Sequence, residues 1–90
     1  MASIHVVVTG RVQGVGFRWF VRESARRVGL AGWVYNRPDG AVEVAADGDD
    51  ESIELLRRAV RTGPPGANVQ DVTAADGDVG TLTTPFSVRK

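Results

Sequence analysis

Cysteine is absent from the 90-residue chain, which excludes disulfide bridges, thiolate metal sites and cysteine nucleophiles. An excess of charge of either sign is also absent, because eleven basic residues balance eleven acidic ones. A general nucleic-acid-binding protein carries a basic excess on one face, so we expect no nucleic-acid partner. Lysine is almost absent as well, with Lys90 the only one among the basic residues. A single arginine is therefore informative only through its setting.

Long apolar runs are missing too. No segment approaches the length of a membrane span, and the N-terminus has no charged region followed by an apolar signal segment. We therefore expect a cytoplasmic protein with no membrane partner. Ninety residues, of which 42% are hydrophobic and 24% charged, are typical of one globular domain, so residues 1–90 are predicted to form a single domain. The only histidine, His5, has no carboxylate near it in sequence and is assigned no role.

Apolar periodicity predicts the order strand, helix, strand, strand, helix, strand, with a short additional strand at the end. Two amphipathic helices among alternating strands favour an antiparallel sheet with both helices on one face, the ferredoxin-like α+β sandwich. Val69 and Val72 keep one face of the fourth strand only if a bulge intervenes. Asp49 or Asp50 is predicted to cap the second helix, since an aspartate side chain accepts hydrogen bonds from the N–H groups of a helix start. A calcium site is the alternative for this acidic run, but the spacing of an EF-hand loop is absent. The predicted strands are 4–9, 31–37, 41–46, one around 69–72, and 86–89, and the first helix covers 17–28.

The stretch from Gly10 to Arg18 carries three glycines between an apolar strand and an apolar-periodic helix. Such a run can turn sharply and present successive backbone N–H groups, which form an anion cradle. The helix that begins near Phe17 directs its unpaired N–H groups to the same place, and Arg18 adds a planar fork of donors. A simple tight turn is the alternative. The dinucleotide-binding pattern does not fit, because Trp19 stands where that pattern requires a third small residue. The Walker pattern does not fit either, because the chain contains no Gly-Lys-Ser/Thr sequence.

The stretch supplies groups that bind phosphate but no nucleophile or acid–base group, since it lacks Ser, Cys, His, Asp and Glu. An acyl phosphate needs little chemical help, because its carboxylate leaving group has a pKa of about 4 to 5 and departs unprotonated. A neutral polar side chain is then enough to place a water molecule, and Asn36 is the candidate. Asparagine before a Pro-Asp-Gly turn is also ordinary turn chemistry, and spacing alone does not select Asn36.

Two long motifs resemble the signatures of the acylphosphatase family. The first is Val8-Thr9-Gly10-Arg11-Val12-Gln13-Gly14-Val15-Gly16-Phe17-Arg18, and the second is Gly32-Trp33-Val34-Tyr35-Asn36 followed by Gly40, Val42 and Gly48. The second half of the chain is similar to the family in its Pro-Pro-Gly-Ala turn and in its end, Phe86-Ser87-Val88-Arg89.

The resemblance implies a ferredoxin-like hydrolase that splits the carboxyl-phosphate bond of small acyl phosphates without a metal or cofactor and releases inorganic phosphate. It implies that Arg18 binds the phosphate and that Asn36 orients the attacking water. The phosphate cradle that it implies consists of the amides of Gln13, Gly14, Val15, Gly16, Phe17 and Arg18. Tyr35 departs from the family, which usually has a basic residue there, and we expect this change to affect the surface more than the chemistry.

Two other functions are compatible with the same fold. The chain could bind a small anion or acyl phosphate without turning it over, or it could serve as a domain of a larger carbamoyl-transfer protein. The absence of zinc-finger cysteines disfavours the second of these. We expect the protein to act as a monomer.

Overall fold

The computed structural model describes all 90 residues and has the predicted order of elements. Five strands form one sheet in the order β4-β1-β3-β2-β5, and two helices complete the ferredoxin-like α+β fold. The predicted fold class is thus confirmed. The elements are β1 (Ala2–Arg11), α1 (Phe17–Arg27), β2 (Ala31–Asn36), β3 (Val42–Gly48), α2 (Asp50–Thr62), β4 (Asn68–Ala74) and β5 (Ser87–Arg89).

The sheet is mixed rather than wholly antiparallel. Strand β1 pairs antiparallel with β3 and β4, and β2 pairs antiparallel with β3, as expected. Strand β5 instead pairs parallel with β2. The chain leaves β4 at one edge of the sheet and crosses to the opposite edge before it reverses direction. Strand β5 therefore lies beside β2 and runs in the same direction. The prediction of an antiparallel sheet is wrong for this one pair.

The core lies between the sheet and the two helices. Alternate residues of the central strands point to this side, as the period of two predicts for a strand with one buried face. Burying such side chains contributes about 1.5–3 kcal/mol each. Both helices therefore cover one face of the sheet. The core residues of β1, β3, α1 and α2 are Ile4, Val6, Val8, Val42, Val44, Ala46, Phe17, Val21, Ala25, Ile53, Leu56 and Val60.

Strand β4 contains a bulge, which is the condition under which Val69 and Val72 share one face. Thr9 pairs with Asp71 and Gly10 pairs with Val69, so Gln70 has no partner on β1. This extra residue returns Val69 to the face that Val72 occupies, and both pack against the core. Gly10 is required here, because a Cβ at this position would lie 2.2 Å from the Asn68 carbonyl oxygen.

The other face of the sheet carries the segment between β4 and β5. The indole of Trp33 lies on this face, and its Nε1 donates a hydrogen bond to the Val79 carbonyl at 3.1 Å. The backbone N–H of Gly32 donates to the Thr83 carbonyl at 3.1 Å. One face of the sheet is therefore covered by the two helices, and the other is covered by part of the segment between β4 and β5. Neither helix is both long enough and apolar enough to cross a membrane.

Candidate active site

The glycine-rich loop and Asn36 lie at the same end of the sheet. Val8, Val42 and Asn36 occupy one row across β1, β3 and β2, and the chain leaves β1 for the loop a few residues beyond Val8. Asn36 alternates with the fully buried Val34, so both belong to the helix-bearing face. The structure thus brings the loop, the start of α1 and the end of β2 to one place.

The loop presents a run of unpaired backbone donors. The N–H groups from Gln13 to Trp19 donate to no acceptor in the protein, and the first bond of this region runs from Phe20 N to Gly16 O at 3.0 Å. Gly14 and Gly16 both adopt a φ of +76°, which a side chain would oppose. Unpaired donors in succession, at the start of a helix, form the type of site that binds phosphate.

The two helices begin in opposite ways. At the start of α2, Asp49 accepts a hydrogen bond from Ser52 N at 2.7 Å, and acidic residues follow in the first turn. The prediction of a cap from this acidic run is confirmed, and the bond from Ser52 lowers the pKa of Asp49. At the start of α1, Gly16 provides no side-chain cap, and the first turn contains no acidic residue. The positive end of α1 therefore has no negatively charged or capping partner among the residues of its own first turn.

Arg18 has no partner within the protein. Its side chain is half-buried and takes part in no ion pair or hydrogen bond, whereas Arg22 and Arg26 of α1 are engaged. Arg22 pairs with Glu23 at 3.1 Å and covers the ring of Trp19, and Arg26 donates to the Phe86 carbonyl at 2.7 Å. The guanidinium of Arg18, in the first turn beside the unpaired amides, is therefore available for an external anion.

Asn36 holds an unsatisfied acceptor. Its Oδ1 is buried and receives no hydrogen bond from the protein. Leaving a buried acceptor unpaired costs about 1–3 kcal/mol, so such an atom points to a function. The turn itself is held by Asp39, whose Oδ1 accepts from Ala41 N at 3.0 Å, and by the bond from Arg37 N to Ala41 O at 2.8 Å. The turn chemistry that offered an alternative role for Asn36 is therefore performed by Asp39.

The side chain of Gln13 has contacts that the sequence did not predict. Its Nε2 donates to the Arg37 carbonyl at 2.8 Å and to the Ala41 carbonyl at 2.9 Å. These two carbonyls stand at the two ends of the turn between β2 and β3. The loop is thus joined to the turn that directly follows Asn36.

His5 also has a partner that sequence proximity does not reveal. Its Nε2 lies 2.6 Å from Glu43 Oε2, on the neighbouring strand, and its ring meets the Trp33 ring edge-on at 6.0 Å between centroids. Glu43 also accepts from Arg37 Nη1 at 3.4 Å. Tyr35 shares this second face of the sheet, because it alternates with Asn36 along β2. Position 35, where the family usually has a basic residue, therefore lies on the face of the sheet opposite Asn36.

Comparisons with known proteins identify the family of the chain. The family described as Acylphosphatase matches residues 4–88 of the chain. An acylphosphatase of Bacillus velezensis is 52% identical over 73 residues, covering 81% of each chain, and one of Anaeromyxobacter is 46% identical over 89 residues, covering 99% of this chain and 96% of its own. The crystal structure of an acylphosphatase from Bacillus subtilis superposes with a TM-score of 0.84 at 41% identity and full coverage of both chains. The chain therefore belongs to the acylphosphatase family, as an enzyme that acts on small acyl phosphates and releases phosphate.

Proposed function

We propose that Arg18 and the main-chain amides from Gln13 to Arg18 bind the phosphate of an acyl phosphate, and that Asn36 orients the water that attacks it. The observation that carries this proposal is the run of unpaired amides at the uncapped start of α1. Asn36, at the same end of the sheet, supplies the second part. The cradle consists of the amides of Gln13, Gly14, Val15, Gly16, Phe17 and Arg18.

Phosphate binding follows from fixed positive groups. Backbone N–H groups held by the loop need no reorganisation when the anion arrives, and the dipole of α1 adds to their attraction. The guanidinium of Arg18 provides a planar fork that matches two phosphate oxygens. The same groups stabilise charge that develops on those oxygens during the reaction.

The chemical step needs only a positioned water. The neutral polar side chain of Asn36 holds the water by a hydrogen bond, and a lone pair of the water oxygen then forms the new bond to phosphorus. The bond from phosphorus to the acyl oxygen breaks, and the carboxylate leaves with the electron pair. Its pKa of about 4 to 5 makes protonation unnecessary. The water proton passes to an oxygen of the substrate phosphate, so the products are a carboxylate and inorganic phosphate, and no metal takes part.

The test is hydrolysis of benzoyl phosphate by the purified protein in the presence of EDTA. Arg18→Ala and Asn36→Ala should each lose at least about 100-fold in kcat/KM while remaining folded, since removal of one group that binds a transition-state charge commonly costs this much. Arg27→Ala, an exposed arginine at the other end of α1, and Asn68→Ala, the only other asparagine, serve as controls and should retain activity. Loss of wild-type activity on chelation, or full activity in Arg18→Ala, would contradict the proposal.

We also propose that residues 1–90 act as a single domain and a monomer in the cytoplasm. The support is that every group assigned to the site comes from one chain. Light scattering at the concentration of the assay should give a mass near 9.6 kDa. A stable dimer at that concentration, or activity confined to a dimeric fraction, would contradict this part.

A further inference from the structure

We propose that the Gln13 side chain is a positioning residue that fixes Asn36 relative to the phosphate loop. The inference rests on the proposed function of Asn36. It assigns the Gln13 side chain a task separate from that of the Gln13 backbone amide, which belongs to the phosphate cradle.

The geometry of the contact is that of a clamp across the turn. The Arg37 carbonyl already accepts from Gly40 N at 3.1 Å, and the Ala41 carbonyl already accepts from Arg37 N at 2.8 Å. A carbonyl oxygen has two lone pairs, and the Gln13 amide nitrogen has two hydrogens. Gln13 Nε2 therefore supplies the second donor to each oxygen, at 2.8 and 2.9 Å. All four groups are then satisfied.

The clamp extends the contact between β1 and the hairpin of β2 and β3 beyond Val8 and Val42, the last residues that the pairing of β1 with β3 joins. Gln13 follows β1, and the turn belongs to the hairpin of β2 and β3. The clamped Arg37 carbonyl is covalently next to Asn36, so the position of Asn36 depends on these two bonds. A displacement of a catalytic group by about 1 Å can cost roughly 100-fold in rate. Loss of the clamp should therefore lower turnover while the cradle still binds phosphate.

Replacement of Gln13 by methionine tests this inference. Gln13→Met keeps the chain length and the backbone amide but removes both side-chain donors. We expect kcat for benzoyl phosphate to fall about tenfold, equivalent to about 1.4 kcal/mol, while the inhibition constant of inorganic phosphate changes less than about twofold. Gln70→Met is the matched control, because Gln70 is the only other glutamine and is exposed. It should leave both quantities unchanged.

A double-mutant cycle separates positioning of Asn36 from a general structural effect. In an Asn36→Ala background, Gln13→Met should lower kcat no further, because the residue through which it acts is gone. The inference would be overturned if Gln13→Met lowered kcat equally in the wild-type and the Asn36→Ala proteins. It would also be overturned if Gln13→Met alone left kcat unchanged, whether or not it weakened inhibition by phosphate. Wild-type kcat in Asn36→Ala would instead overturn the proposed function of Asn36, and the positioning role with it.

A measurement on the unaltered protein keeps the inference testable if Gln13→Met does not fold. The two side-chain amide protons of Gln13 should exchange slowly with solvent and give NMR signals shifted downfield from those of Gln70. Exchange of the Gln13 protons as fast as that of the Gln70 protons would show that the clamp is not formed and would overturn the inference.

Discussion

Asn36→Val should stabilise the protein while it removes the activity. The Oδ1 of Asn36 is buried without a protein partner, and Asn36 lies in one row with Val8 and Val42 on the core-facing side of the sheet. Valine favours strands and carries no polar atom that needs a partner. The two expected effects have opposite signs, which a residue with a purely structural role would not produce.

The magnitude of the stabilisation follows from the cost of the unpaired acceptor. That cost is about 1–3 kcal/mol for a buried acceptor without a partner. A gain of about 1 kcal/mol in the free energy of unfolding raises the Tm of a domain of this size by about 4–8 °C. For activity, loss of the water-orienting group should lower kcat by at least about 100-fold, equivalent to about 2.7 kcal/mol.

Thermal unfolding followed by circular dichroism, together with benzoyl phosphate hydrolysis, measures both effects. Asn68→Val is the matched control, because Asn68 is exposed at the start of β4 and should change neither quantity. A lower Tm for Asn36→Val with an unchanged Tm for Asn68→Val would refute the reasoning, since it would mean that Asn36 contributes a stabilising hydrogen bond. A stabilised variant with wild-type turnover would leave Asn36 without its proposed role.

Three further predictions concern other parts of the fold. Gly32→Ala should prevent stable folding, measured by circular dichroism, because its Cβ would lie 2.0 Å from the Ala45 carbonyl oxygen. Hydrogen bonds from the backbone hold the pKa of Asp39 and Asp49 below the ordinary value of 3.8. Their contribution to stability is therefore complete above pH 3.8 and is lost as the pH falls through the lower, folded-state pKa. Asp39→Asn or Asp49→Asn should therefore weaken the loss of unfolding free energy at acid pH, measured by denaturation at a series of pH values. Inorganic phosphate at about 100 times its dissociation constant should stabilise the protein by about 2.7 kcal/mol, and Arg18→Ala should lose most of that gain in a thermal shift assay.

The sequence predicts those parts of the fold that depend on local patterns. The alternation in β1 and the helical periodicity of α1 each reflect neighbours along the chain, and both predictions are confirmed. The spacing of Val69 and Val72 leaves the phase of β4 open, and the bulge in the structure decides it. The direction of β5 is different. It depends on the path of the segment after Ala74 across the sheet, and no local periodicity encodes that path.

The site divides in the same way. The loop and Arg18 are contiguous in sequence, so their combination indicates an anion site from the local pattern alone. Asn36 is 18 residues beyond Arg18, and only the resemblance to a family selects it from the residues of a turn. The contacts of Gln13 and His5 join positions 24 to 38 residues apart. They depend on which strands become neighbours in the sheet, which no local pattern encodes, and so they emerge only in the folded chain.

Three unsatisfied groups of this protein lie together at one end of the sheet. They are the uncapped start of α1, the guanidinium of Arg18, which has no partner, and the buried Oδ1 of Asn36, which receives no hydrogen bond. Elsewhere the same chain satisfies equivalent groups, since Asp49 caps α2 and Asp39 bonds its own turn. Local rules are expected to fail where function requires it. A phosphate would supply acceptors for the amides at the start of α1 and for the guanidinium of Arg18, which accounts for two of the three groups at this end of the fold.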